Sequence, residues 1–374
     1  MTMTMRRCVG GSSISPRSCR RVVVPSVFLV SLCVLGFLLN VFGQENRHER
    51  AFGGGSGTTS PATGVPRCGQ DRGRPTQGCA WNVSTAERAD LIQDKFTMTI
   101  STFHRPKELG RVLDTVLSDK LPSLFEVVVV WNNFGETPPP DFTSDHGVPV
   151  RYRTPAHDSL NEKLRPDPGY RTAAILLSDD DVFYRPSDLE FVFQIWREFG
   201  QDRLVGALAR CISSGRAGDR HADARGSWEY NFCTPSSSWG GGDGDGETYS
   251  MVLTNLAFTH VSFLDHYFSD AGPAVRMRQV VDDAFNCEDI AFNYMVSYLT
   301  GRGPLLVRGR DQYVNMDPPA GISRNKGHLE ARGQCLNDFA QILGCMPLVD
   351  VKGRMERGFK HNVWYKSVWD LMTL

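Results

Sequence analysis

Short apolar runs alternate with amphipathic segments along the chain after residue 95. The runs 96–103, 125–131 and 173–177 have the composition of strands. The last two contain four or five consecutive apolar residues, as in strands buried on both faces. Apolar residues at helical spacing predict helices at 107–117 and 187–199. Strands separated by helices favour parallel pairing with right-handed crossovers. The pattern therefore predicts an α/β fold: a Rossmann-like, mostly parallel sheet with flanking helices.

The rest of this region shows the same alternation with a less regular pattern. It predicts strands at 148–153, 203–208, 249–260 and 305–307, a helical turn at 158–164, and helices at 275–284, 289–300 and 334–343. Two glycine-rich polar stretches, 213–226 and 236–246, predict surface loops. Aromatic residues flank these loops, and they fit either the core or a platform on which a sugar ring stacks: Trp228, Tyr230, Phe232 and Trp239.

Three consecutive carboxylates, Asp179, Asp180 and Asp181, follow the strand at 173–177. Open α/β sheets bind ligands at the carboxyl ends of their strands. Adjacent acids repel one another unless a cation neutralises them, and a divalent metal with a diphosphate is the usual occupant of such a cluster. An acidic turn before the helix at 187–199 is the alternative that the motif alone leaves open.

An uncharged apolar segment, 22–42, lies near the start of the chain. Its 21 residues are close to the roughly 20 that cross a bilayer. Five arginines precede it and no acid occurs before Glu45, so the positive-inside rule predicts a cytosolic tail, 1–21, and a type II signal-anchor. A cleaved signal peptide is the alternative, because Pro25 and Asn40 are imperfect in a span, although the apolar run exceeds the usual h-region of about 7 to 15 residues.

The region 43–94 is rich in glycine, serine, threonine and proline, and it predicts a flexible lumenal stem before a single domain at 95–374. Asn82 begins an Asn-Val-Ser sequon, a candidate for N-glycosylation. A secreted chain that starts near Ala86 is expected to be soluble. Of the 41 Lys and Arg residues, five precede the apolar segment. The rest of the chain therefore has 36 basic and 42 acidic residues, and this excess of acidic residues argues against nucleic-acid binding.

Seven cysteines follow the apolar segment: Cys68, Cys79, Cys211, Cys233, Cys287, Cys335 and Cys345. In a secretory lumen some of them pair, and an odd number leaves at least one free or intermolecular. None shows a CxxC spacing, which argues against a structural zinc site.

Five ordered blocks carry a resemblance to a known family. They are FTMTISTFHR at 96–105, VVWNN at 129–133, SDDD at 178–181, YSMVL at 249–253 and NCEDIA at 286–291. Together they resemble the exostosin-like glycosyltransferase domain, glycosyltransferase family 64. The resemblance implies a GT-A fold, a UDP-N-acetylhexosamine donor, Mn2+, and transfer with retention of anomeric configuration in the Golgi or endoplasmic reticulum.

The resemblance also assigns residues to the site. It implies nucleotide-sugar binding by Thr102, Arg105, Asn132, Asp158, Lys163, Asp179, Asp180 and Asn286, metal binding by Asp181, catalysis by Asp289 with Arg332 at the diphosphate, and a Cys287–Cys335 disulfide. Three positions depart from the family pattern: Asp158 replaces an asparagine, Lys163 an arginine, and Glu288 an aspartate. Lys163 keeps the positive charge but lacks the two parallel N–H groups with which arginine binds an anion. Without the family, Asp289 is an acid favoured at a helix N-terminus, and Arg332 is a solvated helix cation.

The sequence therefore predicts a retaining, Mn2+-dependent transferase, anchored by one span in the Golgi or endoplasmic reticulum membrane with its catalytic domain in the lumen. It moves GlcNAc or GalNAc from UDP to a glycan or glycosphingolipid, one sugar at a time, since no exostosin domain precedes the transferase domain. The alternative is a catalytically silent lumenal carbohydrate-binding or scaffold protein; the anchor disfavours a nucleotidyltransferase. The acceptor, the choice of sugar and the oligomeric state, a homodimer included, stay open.

Overall fold

The computed structural model describes residues 65–68, 81, 88, 90–214, 227–233, 248–311, 313–318, 321 and 324–358. The chain divides into two units, Met1–Ser60 and Pro61–Leu374, and all described residues belong to the second. The predicted tail and signal-anchor, Cys79, Asn82 and Trp239 lie outside the described residues. Within the described part of the chain, we find no helix that is long and apolar enough to cross a bilayer.

The described residues form sixteen strands, most of them short. They are β1 (Ile92–Thr102), β2 (Leu124–Trp131), β3 (Phe142–Thr143), β4 (Pro149–Arg153), β5 (Thr172–Asp179), β6 (Val182–Phe183), β7 (Val205–Gly206), β8 (Ala209–Ser214), β9 (Trp228–Asn231), β10 (Thr248–Tyr249), β11 (Met251–Val252), β12 (Leu256–His260), β13 (Leu305–Arg308), β14 (Val314–Asn315), β15 (Val351–Lys352) and β16 (Met355–Glu356).

Nine of these strands form one mixed sheet in the order β16-β13-β7-β12-β5-β1-β2-β4-β3. β1 pairs in parallel with both β2 and β5, with Thr99 opposite Val128 and Leu177, and β2 pairs in parallel with β4. β12 runs antiparallel to β5. The aliphatic runs of β2 and β5 are fully buried because both faces of the sheet are covered. The predicted α/β fold with a mostly parallel sheet is confirmed.

Within the described residues, six helices cover the sheet: α1 (Pro106–Val116), α2 (Pro186–Ile195), α3 (Val261–Tyr267), α4 (Gly272–Ala284), α5 (Glu288–Thr300) and α6 (His328–Leu343). The helices pack in two hydrophobic clusters, one on each face of the large sheet. One contains residues of α1 and α2, and the other contains residues of α3 to α6. Strand β5, which leads into the three consecutive aspartates, contributes to both clusters. Leu176 lies in the first cluster, and Ile175 and Leu177 lie in the second.

Two sequence predictions are wrong in detail. The strand predicted at 249–260 is three strands in three sheets, because only β12 joins the large sheet; β10 pairs with β15, and β11 pairs with β8. Helix α3 is not predicted, since an apolar sequence runs from β12 into it without a turn residue. Its cap is His260, whose Nδ1 accepts a hydrogen bond from the backbone N–H of Ser262 at 3.2 Å.

Part of the predicted stem, 43–94, contacts the domain. The contacts are the Cys68–Cys345 disulfide, the stacking of Trp81 on Phe263 at 5.5 Å between centroids, and the hydrogen bonds from Arg88 to Asp265 at 2.6 and 2.9 Å. In addition, β1 already begins at Ile92. The segment before residue 95 is therefore not a uniformly flexible stem, because Cys68, Trp81 and Arg88 contact the domain.

Candidate active site

The carboxylate triplet lies where β1 and β5 end side by side, because parallel neighbours carry their carboxyl ends to one edge of the sheet. The Thr102 hydroxyl donates to Oδ2 of Asp180 at 2.7 Å. The Nη1 of Arg105 donates to Oδ1 of Asp180 at 3.0 Å and to Oδ2 of Asp181 at 2.7 Å. The structure thus brings Thr102 and Arg105, both predicted from the sequence, into direct contact with the triplet.

The triplet holds more negative charge than Arg105 neutralises. Burial raises the pKa of Asp180 to about 7; the hydrogen bond from Thr102 and the charge of Arg105 oppose this shift, and the carboxylates of Asp179 and Asp181 add to it. Burial and then the charge of Asp179 also raise the pKa of Asp181. A further cation next to these side chains would stabilise their ionised forms.

Asp181 has one carboxylate oxygen to offer such a cation. Its Oδ2 accepts from Arg105, its Oδ1 has no hydrogen bond within the described residues, and its side chain is 19% exposed. The described residues contain no group of three or more His, Cys, Asp or Glu side chains placed to hold a metal ion. Oxygen donors suit a hard divalent cation, and a substrate would have to supply most of them here.

Lys163 joins the triplet to the second half of the site. Its Nζ donates to Oδ1 of Asp179 at 2.8 Å and lies 3.4 Å from Oε1 of Glu288, the first residue of α5. The side chain is only 7% exposed. Burial on its own lowers the pKa of Lys163, but Asp179 and Glu288 outweigh burial and raise it above its usual value. A buried, charged ammonium therefore bridges the end of β5 and the start of α5.

A 3-10 turn, Leu160–Leu164, places Lys163, and a buried asparagine holds this turn. The amide of Asn161 donates to the carboxylate of Asp282 at 2.8 Å, and its carbonyl accepts from the Tyr267 hydroxyl at 2.6 Å. Local sequence patterns carry no signal for this anchor, because both partners lie more than a hundred positions away. Asp158, a predicted binding residue, is exposed and forms no hydrogen bond or ion pair with the described residues.

Asp289 and Arg332 form a buried ion pair at the start of α5. Nη2 of Arg332 donates to Oδ2 of Asp289 at 2.5 Å, and the two residues are 6% and 5% exposed. Burial on its own raises the pKa of Asp289, but the charge and hydrogen bond of Arg332 outweigh it and lower the pKa below the ordinary value. Asp289 is therefore a carboxylate held ionised in a desolvated place, and not a solvated helix cap.

Asn286 completes this half of the site. Its Oδ1 accepts from Nη1 of Arg332 at 3.3 Å and from the backbone N–H of Cys287 at 2.8 Å. The residues on either side, Phe285 and Cys287, have φ values of 45° and 76°, in the left-handed region that side chains other than glycine rarely adopt. A disulfide joins Cys287 to Cys335, one turn of α6 beyond Arg332, as the resemblance implies.

The resemblance implies that the amide group of Asn132 binds a nucleotide-sugar, but the structure shows its nitrogen hydrogen-bonded within the protein. Its Nδ2 donates to Oγ of Ser101 at 3.1 Å and to the Thr102 carbonyl at 3.0 Å, so the amide N–H groups join β2 to β1. Its Oδ1 has no hydrogen bond within the described residues and remains available to a ligand. The neighbouring Asn133 is structural, since its Oδ1 accepts the backbone N–H of His104 at 2.6 Å.

Two further residues belong to this site although the sequence did not assign them to it. Glu288 shares Lys163 with the triplet, and burial raises its pKa although the charge of Lys163 opposes the shift. Tyr230, predicted only as a core or sugar-stacking aromatic, lies under the guanidinium of Arg332 at 4.5 Å from the ring centroid. In the sequence, Glu288 was marked only by its position next to Asp289. Tyr230 was marked only as one of several aromatic residues beside a glycine-rich loop.

The comparisons with known proteins agree with this geometry. A family model described as the glycosyl transferase family 64 domain matches residues 96–359. Human exostosin-2 is 33% identical over 265 residues, which cover 70% of this chain and 34% of exostosin-2, so the chain spans about a third of that relative. Two Arabidopsis thaliana proteins are also similar.

The first Arabidopsis protein is glucosamine inositolphosphorylceramide transferase 1, 33% identical over 66% of this chain and 29% of that protein. The second is glycosylinositol phosphorylceramide mannosyl transferase 1, 27% identical over 76% of this chain and 82% of that protein. The ordered blocks, the site that they build at the sheet edge and these matches lead to one conclusion. The chain belongs to glycosyltransferase family 64.

Proposed function

We propose that this protein transfers an N-acetylhexosamine, GlcNAc or GalNAc, from a UDP-sugar to a glycan or glycolipid acceptor, with Mn2+ and with retention of anomeric configuration. One observation carries the proposal: the ammonium of Lys163 contacts both the triplet residue Asp179 and the α5 residue Glu288, at 2.8 and 3.4 Å. A site for a charged donor therefore adjoins the buried Asp289–Arg332 pair. Family membership supports glycosyl transfer.

The triplet is the donor side of this proposal. Asp181 would hold Mn2+ together with the diphosphate, and the metal would supply Lewis-acid stabilisation of the departing UDP. The protein itself then neutralises the remaining charge, because Arg105 contacts two of the three carboxylates. Asp179 and Asp180 would accept hydrogen bonds from sugar hydroxyls or from water near the metal.

The Asp289–Arg332 pair is the reaction-centre side. A carboxylate kept ionised away from water can stabilise positive charge that develops on the donor sugar, or it can orient the acceptor hydroxyl. Arg332 keeps Asp289 ionised and fixes its position. The Nε of Arg332 is buried without a hydrogen-bond partner among the described residues, so it can donate to a diphosphate oxygen.

The sugar is the finer part of the proposal. One plant relative is named for glucosamine and another for mannosyl transfer, so a donor screen must include both possibilities. We would measure release of nucleoside diphosphate from UDP-GlcNAc, UDP-GalNAc, UDP-glucose and GDP-mannose, with Mn2+ and with EDTA. This test needs no knowledge of the acceptor.

Mn2+-dependent release from UDP-GlcNAc or UDP-GalNAc, at least tenfold faster than from the other donors, is the expected result. Release from GDP-mannose alone would overturn the N-acetylhexosamine assignment. Undiminished release in EDTA would overturn the role of the metal. Asn132→Asp, which replaces the amide of a predicted nucleotide-sugar-binding residue with a charged carboxylate, should weaken UDP binding.

We also propose that the domain lies in the lumen of the Golgi or endoplasmic reticulum behind a single type II anchor at 22–42. Three disulfides among the described residues support an oxidising compartment. Protease protection in sealed microsomes tests this: digestion of the C-terminal domain without detergent would place it in the cytosol.

A further inference from the structure

The turn that carries Lys163 is short and depends on contacts outside itself. It spans Leu160–Leu164, with Ser159 as its N-cap: the Oγ of Ser159 accepts the backbone N–H of Asn161 at 3.0 Å. Hydrogen bonds in a 3-10 turn have poorer geometry than those in an α-helix, so such a turn adds little stability by itself. The position of Lys163 is therefore set by the side chains that hold the turn from outside.

Asn161 attaches this turn to helices α3 and α4. Its Nδ2 donates to the Arg278 carbonyl at 3.0 Å and to Oδ1 of Asp282 at 2.8 Å, both in α4. Its Oδ1 accepts from the hydroxyl of Tyr267, the last residue of α3, at 2.6 Å. The side chain of Asn161 is buried, and both its nitrogen and its oxygen are hydrogen-bonded within the protein.

Tyr267 is held as a hydrogen-bond donor. Its ring is fully buried, and burial and then the charge of Glu288 raise the pKa of its hydroxyl far above the ordinary value. The hydroxyl therefore keeps its proton and donates it in the hydrogen bond to Asn161. Without this donor the Asn161 oxygen would be buried and unpaired, which is unfavourable in a low-dielectric interior.

Asp282 holds the turn through a second contact. Its Oδ1 accepts both from the Asn161 amide and from the Ser159 hydroxyl. Asp282 lies in the last turn of α4, where the helix dipole disfavours an acid. This carboxylate therefore does not benefit α4, and its two hydrogen bonds stabilise the turn that carries Lys163.

These three residues do not belong to the charged site itself. Tyr267, Asn161 and Asp282 form no hydrogen bond or ion pair with the carboxylate triplet within the described residues. They reach it only through the turn, because Lys163 follows Asn161 by two positions and its Nζ contacts Asp179 at 2.8 Å. A shift of the turn would move the ammonium away from Asp179 and from any anion bound beside it.

We propose that Tyr267 and Asp282 are positioning residues for donor binding, which act through Asn161 to hold the Lys163 ammonium where the charged donor binds. The proposal rests on the proposed function and adds residues that touch neither the donor nor the reacting atoms. Lysine presents a point charge on a flexible four-carbon chain, so the backbone that carries it must fix its position. No bond is made or broken at this network.

The test compares variants of the full chain in UDP binding, measured by calorimetry with Mn2+. Tyr267→Phe removes the hydroxyl and keeps the ring, and Asp282→Ala removes the carboxylate. Asp283→Ala is the matched control, because Asp283 is the next residue of α4, is also exposed, carries the same charge and forms no hydrogen bond or ion pair within the described residues. Tyr267→Phe and Asp282→Ala are also made in a Lys163→Gln background, which lacks the ammonium.

Tyr267→Phe and Asp282→Ala should each weaken UDP binding at least about fivefold, the scale of one hydrogen bond. Asp283→Ala should stay within about twofold, since an exposed charge contributes little. The direction separates the two effects, because removing a negative charge by itself favours an anion such as UDP. In the Lys163→Gln background neither change should weaken binding by more than about a further twofold, because the group that they position is absent.

Two further measurements separate positioning from a general structural role. For the donor that wild type uses, KM should rise by a factor similar to that for UDP, while kcat stays within about threefold. Amide hydrogen exchange of Leu160–Leu164 tests the support without any ligand. Exchange there should be at least about fivefold faster in Tyr267→Phe and in Asp282→Ala than in wild type, and unchanged in Asp283→Ala.

Any of four results would overturn the proposal. UDP binding of both variants equals that of wild type, the loss is as large in the Lys163→Gln background, Asp283→Ala matches Asp282→Ala, or exchange at Leu160–Leu164 does not change. Failure of the proposed function is distinguishable, since wild type itself would then not bind UDP. Circular dichroism identical to that of wild type shows that the variants fold.

Discussion

At the scale of single residues, burial and neighbouring charge decide what each carboxylate can do. Asp180 and Asp289 are almost equally buried, at 2% and 5% exposure, yet their pKa values move in opposite directions. Asp180 lies among like charges, whereas Asp289 lies against the guanidinium of Arg332. The first environment favours an added cation, and the second favours a permanently ionised group.

Asp181→Ala should abolish Mn2+-dependent UDP binding and transfer, because it removes the carboxylate proposed to hold the metal. The thermal midpoint should stay within a few degrees, since a carboxylate near the surface contributes little to folding. Calorimetry with UDP and Mn2+, beside a thermal melt, checks both. Full activity of this variant would show that the metal binds elsewhere.

Asp289→Asn should bind UDP as wild type does but lose at least about a hundredfold in turnover, the scale of a lost charge-stabilising group. The amide keeps the size of the side chain and one hydrogen bond with Arg332, so binding and folding are less affected than the reaction. Steady-state kinetics and UDP titration separate the two effects. Weak UDP binding with normal turnover would contradict the assignment.

At the scale of elements, the short helix α3 depends on its cap, His260. This ring is 2% exposed, and its Nδ1 accepts the backbone N–H of Ser262 at 3.2 Å. Burial, and then the charge of Arg88, lowers the pKa of His260 to about 4. A protonated ring would lose the acceptor that caps α3.

The stability of the protein should therefore fall as the pH drops. The unfolded His260 binds a proton near its ordinary pKa of about 6.5, while the folded one binds it near 4, so this contribution is complete above about pH 6.5 and is lost towards pH 4. The loss is on the order of 3 kcal/mol. Urea titrations at pH 7 and pH 4 measure it.

His260→Asn is the control for this prediction, because asparagine caps a helix without titrating in this range. Its unfolding free energy should change less between the two pH values than that of wild type, by about the contribution of the histidine. Equal pH dependence in both proteins would show that other groups dominate.

At the scale of the whole molecule, the segment before the sheet is part of the folded unit. Arg67 donates to the Leu348 carbonyl at 2.8 Å and lies over the ring of Trp228 at 5.1 Å, and the next residue, Cys68, is bonded to Cys345. The backbone N–H of Trp228 donates to the side-chain oxygen of Asn337, and the backbone carbonyl of Trp228 accepts from the amide nitrogen of Asn337. Asn337 lies in α6, the helix that carries Arg332.

A chain that starts at Pro61 should be more stable than one that starts at Ala86. The shorter chain loses Arg67 and leaves Cys345 without its partner, and a disulfide of this kind contributes about 2–5 kcal/mol. Its thermal midpoint should drop by roughly 5–10 °C, and its activity should fall. Thermal melts and UDP release measure the difference, with Cys68→Ser in the longer chain as the control for the disulfide alone.

Equal stability of the two chains would show that the contacts before Ile92 contribute nothing. The sequence alone favoured Ala86 as a safe starting point, because the region 43–94 has little apolar surface to bury. That composition does not reveal contacts with residues more than two hundred positions away, such as the Cys68–Cys345 bond.

The sequence by itself determined the properties that depend on nearby residues. Strands β1, β2 and β5 and helices α1 and α5 follow from apolar spacing, and parallel pairing follows from their alternation, so Asp179–Asp181 were predicted at the carboxyl end of a strand. Thr102 and Arg105 were assigned to the same site by the family resemblance. The tertiary structure decided which distant residues meet: Lys163 with Glu288, Asn161 with Tyr267, and Arg210 with Phe232. Spacing along a chain encodes which face of an element is apolar, whereas contacts between elements depend on how those faces pack.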